Sequence, residues 1–348
     1  DITASIFADS KVYDGTTTAD TYADLENLID GEGGNPDDIY LTTTGQFTDR
    51  HAGDAKTVLV SGTLGGADMA NYRLVSVNSE TTADIYARDL SVVGSSVADK
   101  VYDGQLTAQV NVGALVGVLA GDQVAIDSAS ALFADRHVGN GKEVTATYNL
   151  TGASAGDYYA FEDTLLTGNI TPKTLTISGS SATSKVYDGG VAAAVVAGQL
   201  QGVIAGDTVQ VGAGGAFDSR HVGTGKAVAT TYTLSGGEGG NYQLAGETLT
   251  ADITPRTLTI TGTTARDKVY DATVAAPVQT GVLSGKLAGD DVTAQAVGVF
   301  ADKNVGSDKP VTVRYDLAGT DAGNYALSGQ VLSADITPAT LVIHANDA

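Results

Sequence analysis

The tetrapeptide Lys-Val-Tyr-Asp occurs four times, starting at Lys11, Lys100, Lys185 and Lys268, with spacings of 89, 85 and 83 residues. A motif that returns at a near-fixed interval marks a chain built as an array of one structural unit. Three further anchors recur in the same order. A Phe-x-Asp/Ser-Arg/Lys-His/Asn-x-Gly stretch begins at Phe47, Phe133, Phe217 and Phe300. An Asn/Asp-Tyr pair ends at Tyr72, Tyr158, Tyr242 and Tyr325, each 25 residues after its Phe. Asp84-Ile85, Asn169-Ile170, Asp252-Ile253 and Asp335-Ile336 close the units, and Thr-Pro follows in the last three. The chain therefore divides into repeats over 1–86, 87–171, 172–254 and 255–348, the last including the start of a further repeat.

Each repeat, at about 85 residues, is large enough to bury its own small core. Period-two alternation in Val144–Leu150, Val228–Leu234 and Val311–Leu317 marks strands with one packed and one wet face. Ala-Gly-Asp turns at Ala120, Ala205 and Ala288 precede β-branched runs. The pattern predicts an all-β chain: a tandem array of four small β-sandwich, Ig-like domains, with β-grasp-like units as the alternative. Junctions such as Ile170–Leu175 are short and stiffened by Pro172, so an elongated rod is expected. Repeat 1 departs from the others by an insertion near 20–39. The apolar spacing of Tyr22–Ile29 within it suits one or two helical turns. Thr340–Ile343 resembles the strands that precede the tetrapeptide elsewhere, so the chain reads as a segment of a longer array, with any secretion signal outside it.

The chain carries 41 acidic against 19 basic residues, a formal charge of −22. Such a surface repels phosphate backbones and anionic membranes, which argues against nucleic acid and membrane insertion, and it favours a monomer. There is no cysteine, so no disulfide staples the repeats.

The candidate sites lie in the anchors. His51, His137 and His221 each follow an Arg, which raises a repeated catalytic or metal site. Repeat 4 has Lys303-Asn304 there, and Asn offers no imidazole base or ligand, while Ser219 replaces Asp in repeat 3. Such exchanges fit a hydrogen-bonded structural loop. The tetrapeptide residues Lys11, Tyr13 and Asp14, Lys100, Tyr102 and Asp103, Lys185, Tyr187 and Asp188, and Lys268, Tyr270 and Asp271 read as structural repeat anchors. A strand-end Tyr packs at the domain edge and the Asp caps a turn; a glycan-binding pair is the competing reading. The Gly that follows is Ala272 in repeat 4, which implies that no left-handed backbone is required. Asp37-Asp38 and Asp290-Asp291 raise calcium, but no Asp-x-Asp-x-Asp-Gly loop is present and solvated acidic turns are the simpler account. A Lys–Asn crosslink toward Asn71, Asn241 or Asn324 is chemically available, though no spacing demands it. No catalytic residue, cofactor or metal is assigned, and the chain does not read as an enzyme.

Taken together, Lys-Val-Tyr-Asp-Gly, the stretch from Phe133, Asp321–Tyr325 and Ala251–Pro255 resemble the YDG repeats of large bacterial adhesins of the filamentous-haemagglutinin type. The resemblance covers all four repeats. It implies a secreted or cell-surface protein in which this segment is a stalk, projecting a separate binding domain for adhesion or biofilm formation. Host or biofilm glycan or protein would then be met through other parts of the full-length protein. The alternative is a module that binds glycan or a partner protein through its loops, especially the repeat 1 insertion.

Overall fold

A computed structural model describes residues 1–29, 37–77, 79–160 and 163–342. The chain forms two compact units, Asp1–Lys173 and Thr174–Ala348, each holding two repeats. Strands dominate, and the helical content of the described residues is four single 3-10 turns, each just before an anchor tyrosine.

Every repeat is built on the same five-stranded sheet. Its centre is a 13-residue strand, Gly53–Gly65, Gly139–Thr151, Gly223–Ser235 or Gly306–Ala318. The strand before it, such as Gln210–Phe217, forms an antiparallel hairpin with it. In register, Phe47 faces Val58, Phe133 faces Val144, Phe217 faces Val228 and Phe300 faces Val311. All eight side chains are buried. The alternation read from sequence thus sorts the strand into a core face (Val144, Ala146, Tyr148) and an exposed face.

On the other side of the central strand lies the closing strand of the repeat, and beyond it the Lys-Val pair of the tetrapeptide. That last pairing is parallel, with Lys11 opposite Ile85, Lys100 opposite Ile170, Lys185 opposite Ile253 and Lys268 opposite Ile336. Parallel neighbours need a long crossover. Here the crossover is nearly the whole repeat, so the first and fourth sequence anchors sit side by side and close the domain.

The fourth anchor also fixes a bulge. The central strand shifts register near its start, and a residue there turns to positive φ: Ala55 (47°), Gly141 (59°), Gly225 (58°) and Asp308 (49°). In each repeat the side chain of Asp84, Asn169, Asp252 or Asp335 accepts that residue's backbone N–H at 2.7–2.8 Å. Asp and Asn serve equally, because the role needs only an acceptor oxygen.

A second, smaller sheet faces the first and completes the sandwich. In repeat 1 it comprises Thr21–Glu26, Ile2–Ala8 and Leu74–Val77. Repeat 2 uses Ala114–Val116, Arg88–Val93 and Tyr158–Ala160. In repeats 3 and 4 the same layer is split into shorter pairs, such as Thr176–Ser178 with Gln199–Gln201 and Thr259–Thr261 with Val282–Ser284.

The repeat 1 insertion departs from the expected helical turns. Thr21–Glu26 is a strand paired antiparallel with Ile2–Ala8 in continuous register, Phe7 opposite Tyr22. Its side chains alternate between exposed and half-buried with period two, and pairing to a ready sheet edge outweighs the weak helical spacing of one short window. Residues 30–36 of the insertion lie outside the described residues.

Candidate functional site

The tetrapeptide lysine is held the same way four times. Lys11 Nζ donates to Asp14 Oδ1 (2.8 Å) and to the carbonyls of Thr16 (2.9 Å) and Thr18 (2.8 Å). Lys100 meets Asp103, Gln105 and Thr107, Lys185 meets Asp188 and Gly190, and Lys268 meets Asp271 and Thr273. Each ammonium also lies 5.5–5.7 Å from the ring centroid of the repeat's own anchor Phe. The Lys and Phe anchors, distant in sequence, are therefore one contact. The bond from Lys185, with the Gly190 N–H, holds the Asp188 carboxyl below the usual carboxylate range. Asn71 is not among the partners of Lys11, whose Nζ is occupied by this cage. Replacing Lys185 with Ala leaves the Gly190 carbonyl and Asp188 without their shared donor and removes the cation from the Phe217 face. The expected loss is about 2 kcal/mol in urea unfolding, not recovered by Lys185→Arg, whose planar fork does not fit a cage shaped to a compact ammonium.

The Asp of the tetrapeptide turns the chain as read from sequence: Asp14 and Asp271 accept the N–H groups of Thr16 and Thr273, two residues on. The residue between does require a left-handed backbone. Its φ is +79° at Gly15, +77° at Gly104, +79° at Gly189 and still +68° at Ala272. The expectation drawn from Ala272 is thus corrected: repeat 4 keeps the conformation and carries the steric strain of a Cβ there.

The second anchor pins its own loop. His51, His137 and Asn304 donate their backbone N–H to Asp49, Asp135 and Asp302. The same carboxylates accept from Lys56, Lys142 and Lys309. In repeat 3, where Ser219 stands, Asp218 one residue earlier takes over the ion pair, and Lys226 bonds both Asp218 (2.7 Å) and Ser219 (2.7 Å).

The remaining anchor atoms meet at the boundary between consecutive repeats. Within the first unit, Asp122 of the repeat 2 Ala-Gly-Asp turn is buried beneath three donors. The Tyr13 hydroxyl donates to its Oδ2 at 2.9 Å, the Tyr158 hydroxyl donates to the same oxygen at 2.6 Å, and Arg50 Nη2 donates to Oδ1 at 2.9 Å. Tyr158 in turn accepts the Leu119 N–H at 3.0 Å, and its ring meets Tyr13 edge-on at 5.3 Å. Asp157 accepts the Ala52 N–H at 2.8 Å and lies 3.0 Å from His51 Nδ1.

The second unit repeats this arrangement with different residues. Asp290 accepts from Tyr187 (3.0 Å), Tyr325 (2.6 Å) and Arg220 (3.5 Å), and Arg220 also reaches Asp321 at 2.6 Å. Asn324 accepts the Val222 N–H at 3.0 Å and lies 3.3 Å from His221. Tyr187 and Tyr325 cross edge-on at 5.4 Å. Apolar packing runs through both boundaries. Tyr13, Phe47 and Ile85 share one core with Leu90 and Tyr158, and Tyr187, Phe217 and Ile253 share another with Leu258 and Tyr325. Only Ala87 separates the closing strand of repeat 1 from the first strand of repeat 2, and only Pro255 does so between repeats 3 and 4.

Burial separates the four tetrapeptide tyrosines. Tyr13, Tyr102 and Tyr187 are 0–1% exposed, whereas Tyr270 is 36% exposed. The Tyr of the third anchor keeps its local partner in all four repeats: Tyr72 bonds Asp37, Tyr158 Asp122, Tyr242 Asp207 and Tyr325 Asp290. Asp37 and Asp290, raised from sequence as calcium oxygens, are therefore engaged by phenols. Among the described residues no group of three or more His, Cys, Asp or Glu side chains is placed to hold a metal ion.

Burial, and then the bond to the anionic acceptor, push the Tyr13 and Tyr187 phenols up to about 12. The Tyr158 and Tyr325 hydroxyls hold Asp122 and Asp290 below the usual carboxylate range, against the cost of desolvation. A raised phenol stabilises the fold fully below its unfolded value of about 10, and that stability is lost as pH rises through about 12. The melting temperature is expected to drop more steeply between about pH 10 and 12 in the native protein than in a Tyr13→Phe/Tyr187→Phe variant. The lowered carboxylates act with the opposite sign, contributing above about pH 4 and failing as pH falls.

Sequence alone marks the tyrosines and the Arg-His pair, and the Ala-Gly-Asp motif reads there only as a turn. The signal was present: an Asp at the same place in three repeats, displaced to Asp37 by the insertion in the first.

Fold and junction together define a class: a tandem β-sandwich array whose recurring polar residues are spent on domain closure and on joining one repeat to the next. The YDG domain profile matches residues 2–83, 86–165, 171–251 and 254–333, and the chain belongs to the YDG domain family. No curated protein matches the chain. Among solved structures, similarity extends to Drosophila N-cadherin EC1-4 at 8% identity and a TM-score of 0.25, over 95% of this chain and 98% of that one. A SusE-like surface-located polysaccharide-binding protein from the Bacteroides thetaiotaomicron heparin utilisation locus matches at 10% identity and a TM-score of 0.15, over 96% and 72%. Likenesses this distant carry no functional argument. No helix among the described residues is long and apolar enough to cross a membrane.

Proposed function

We propose that this segment is a structural spacer in a secreted or cell-surface bacterial adhesin of the filamentous-haemagglutinin type, holding a separate binding domain away from its base. The observation that carries this reading is the buried carboxylate at each described junction, Asp122 or Asp290, bonded by two phenols and an arginine drawn from both repeats. Residues that an enzyme or lectin would turn toward a ligand are turned here toward the neighbouring repeat. Joining by burial, with a one-residue link, transmits load and restricts bending, which is the demand on a stalk. The role is non-catalytic, and target recognition belongs to other parts of the full-length protein.

The test is replacement of the four repeats, within the parent surface protein, by the same number of unrelated sandwich domains. Adhesion to the target is expected to persist. Loss of target binding with presentation intact would favour the alternative of a glycan- or protein-binding module.

A further inference from the structure

Repeat 1 carries on its flank a face that none of the other repeats has. Phe7 and Tyr22 lie opposite each other across the pair Ile2–Ala8 and Thr21–Glu26, their rings stacked at 5.3 Å. Phe7 is 41% and Tyr22 52% exposed. One step along, Asp9 donates its N–H to the Asp20 carbonyl at 3.0 Å, which sets two exposed carboxylates on facing positions of neighbouring strands. Asp24, two residues from Tyr22, stands exposed on the other side of the aromatic pair. Among the described residues no cation pairs with Asp9, Asp20 or Asp24. From Val12 to Asp49 the sequence holds nine acidic residues and no Lys or Arg.

The same positions differ elsewhere. The backbone bond recurs from Ala98 to Gln109, from Thr183 to Ala194 and from Arg266 to Pro277. The aromatic pair is replaced by Ser96 with Asn111, Ser181 with Val196 and Thr264 with Gln279. In repeat 4 the face satisfies itself, Arg266 donating to Gln279 at 2.5 Å. In repeats 2 and 4, each preceded by another repeat in its own unit, Ser96, Asn111, Thr264 and Gln279 are all exposed. The position is therefore lateral, clear of the junctions that cover the ends of a repeat.

Strand pairing alone accounts for a stacked cross-strand aromatic pair. It does not account for the facing carboxylates, which destabilise a strand pair when no cation lies between them. We propose that this face binds a cationic segment of a partner protein, an extended stretch that presents arginine. A guanidinium lies flat on an aromatic ring and donates in a fork to a carboxylate. Phe7 and Tyr22 supply the rings, and Asp9, Asp20 and Asp24 supply the acceptors on the adjoining positions of the same two strands. Lysine meets the charge but lacks the planar group that stacks. The contact does not rest on the spacer reading. It uses no junction residue and adds a lateral partner to whatever the rest of the full-length protein recognises.

Isothermal titration of the full chain with a synthetic peptide of alternating Arg and Ser tests the proposal, beside the matching Lys-Ser peptide and maltohexaose. The arginine peptide is expected to bind, to weaken as salt rises, and to bind at least about threefold tighter than the lysine peptide. Phe7→Ser/Tyr22→Asn installs the residues of repeat 2 and leaves the net charge unchanged; it is expected to weaken binding at least about tenfold. Asp9→Ala/Asp20→Gln, again the residues of repeat 2, is expected to weaken binding as much while raising the melting temperature, because it removes the facing charges. Melting curves report that both variants fold. Failure of the arginine peptide to bind would overturn the proposal. So would binding that the aromatic exchange leaves unchanged, which is attraction to net charge alone, and so would binding of maltohexaose in place of the peptide, which would assign the face to a glycan.

Discussion

Asp122→Ala is expected to separate repeats 1 and 2, with a loss of about 3–5 kcal/mol, the cost of breaking a buried charged contact from one side. The reason is the number of groups left behind. Tyr13 and Tyr158 both lose the acceptor for a buried hydroxyl, and Arg50 loses its carboxylate. Among the described residues the Tyr13 hydroxyl has no second acceptor, and water has little room at a fully buried ring. Asp290→Ala is expected to do the same to repeats 3 and 4, though less severely, because Arg220 retains its shorter contact to Asp321. Asp122→Asn keeps one acceptor oxygen and loses the charge, so its cost falls between native and Ala. Differential scanning calorimetry reads the result: each alanine variant splits or broadens the transition of its own two-repeat unit.

The second large effect distinguishes copies of one motif. Tyr13→Ala and Tyr187→Ala are each expected to cost about 3–5 kcal/mol, the range for deleting a large buried aromatic, because each removes a wholly buried ring, an edge-on aromatic partner and a donor to the junction carboxylate. Tyr270→Ala, at 36% exposure, is expected to cost about 1–2 kcal/mol. The tetrapeptide is identical in all four repeats, so local sequence predicts equal losses. Only the junction accounts for a difference. Urea unfolding of the three single variants, with m-values compared to confirm a common unfolded state, provides the measurement.

These outcomes bear on how much of the protein was legible in its sequence. Repeat number, all-β class and the sandwich came through because strand alternation and recurring anchors are local signals that four copies reinforce. The alternation of Val144–Leu150 marks a strand with one packed face, and Val144, Ala146 and Tyr148 are the residues buried there. What each anchor does was less visible, because its partner lies elsewhere. Lys11 meets Phe47, Asp84 meets Ala55, and Tyr13 meets Asp122, 109 residues away in the next repeat. Spacing shows that such residues recur together but not which of them touch. The left-handed backbone at Ala272 was missed for another reason. A Gly-to-Ala exchange reads as relaxed conformation, yet the turn around it is over-determined by the Lys268–Asp271 contact and by Thr273. The apolar spacing of Tyr22–Ile29 suits helical turns, whereas Thr21–Glu26 is a strand, because its sheet partner, Ile2–Ala8, lies outside any local window.

The central claim is that the tetrapeptide tyrosine and the Ala-Gly-Asp carboxylate act as one joint between repeats. A double-mutant cycle between Tyr187→Phe and Asp290→Ala measures this directly, since the two residues lie in different repeats and meet only through a 3.0 Å hydrogen bond. The account predicts a coupling energy of about 1–2 kcal/mol, within the range for residues sharing one buried network. Strictly additive losses would mean that the two residues stabilise their own repeats separately, and that the junction is not the joint described here.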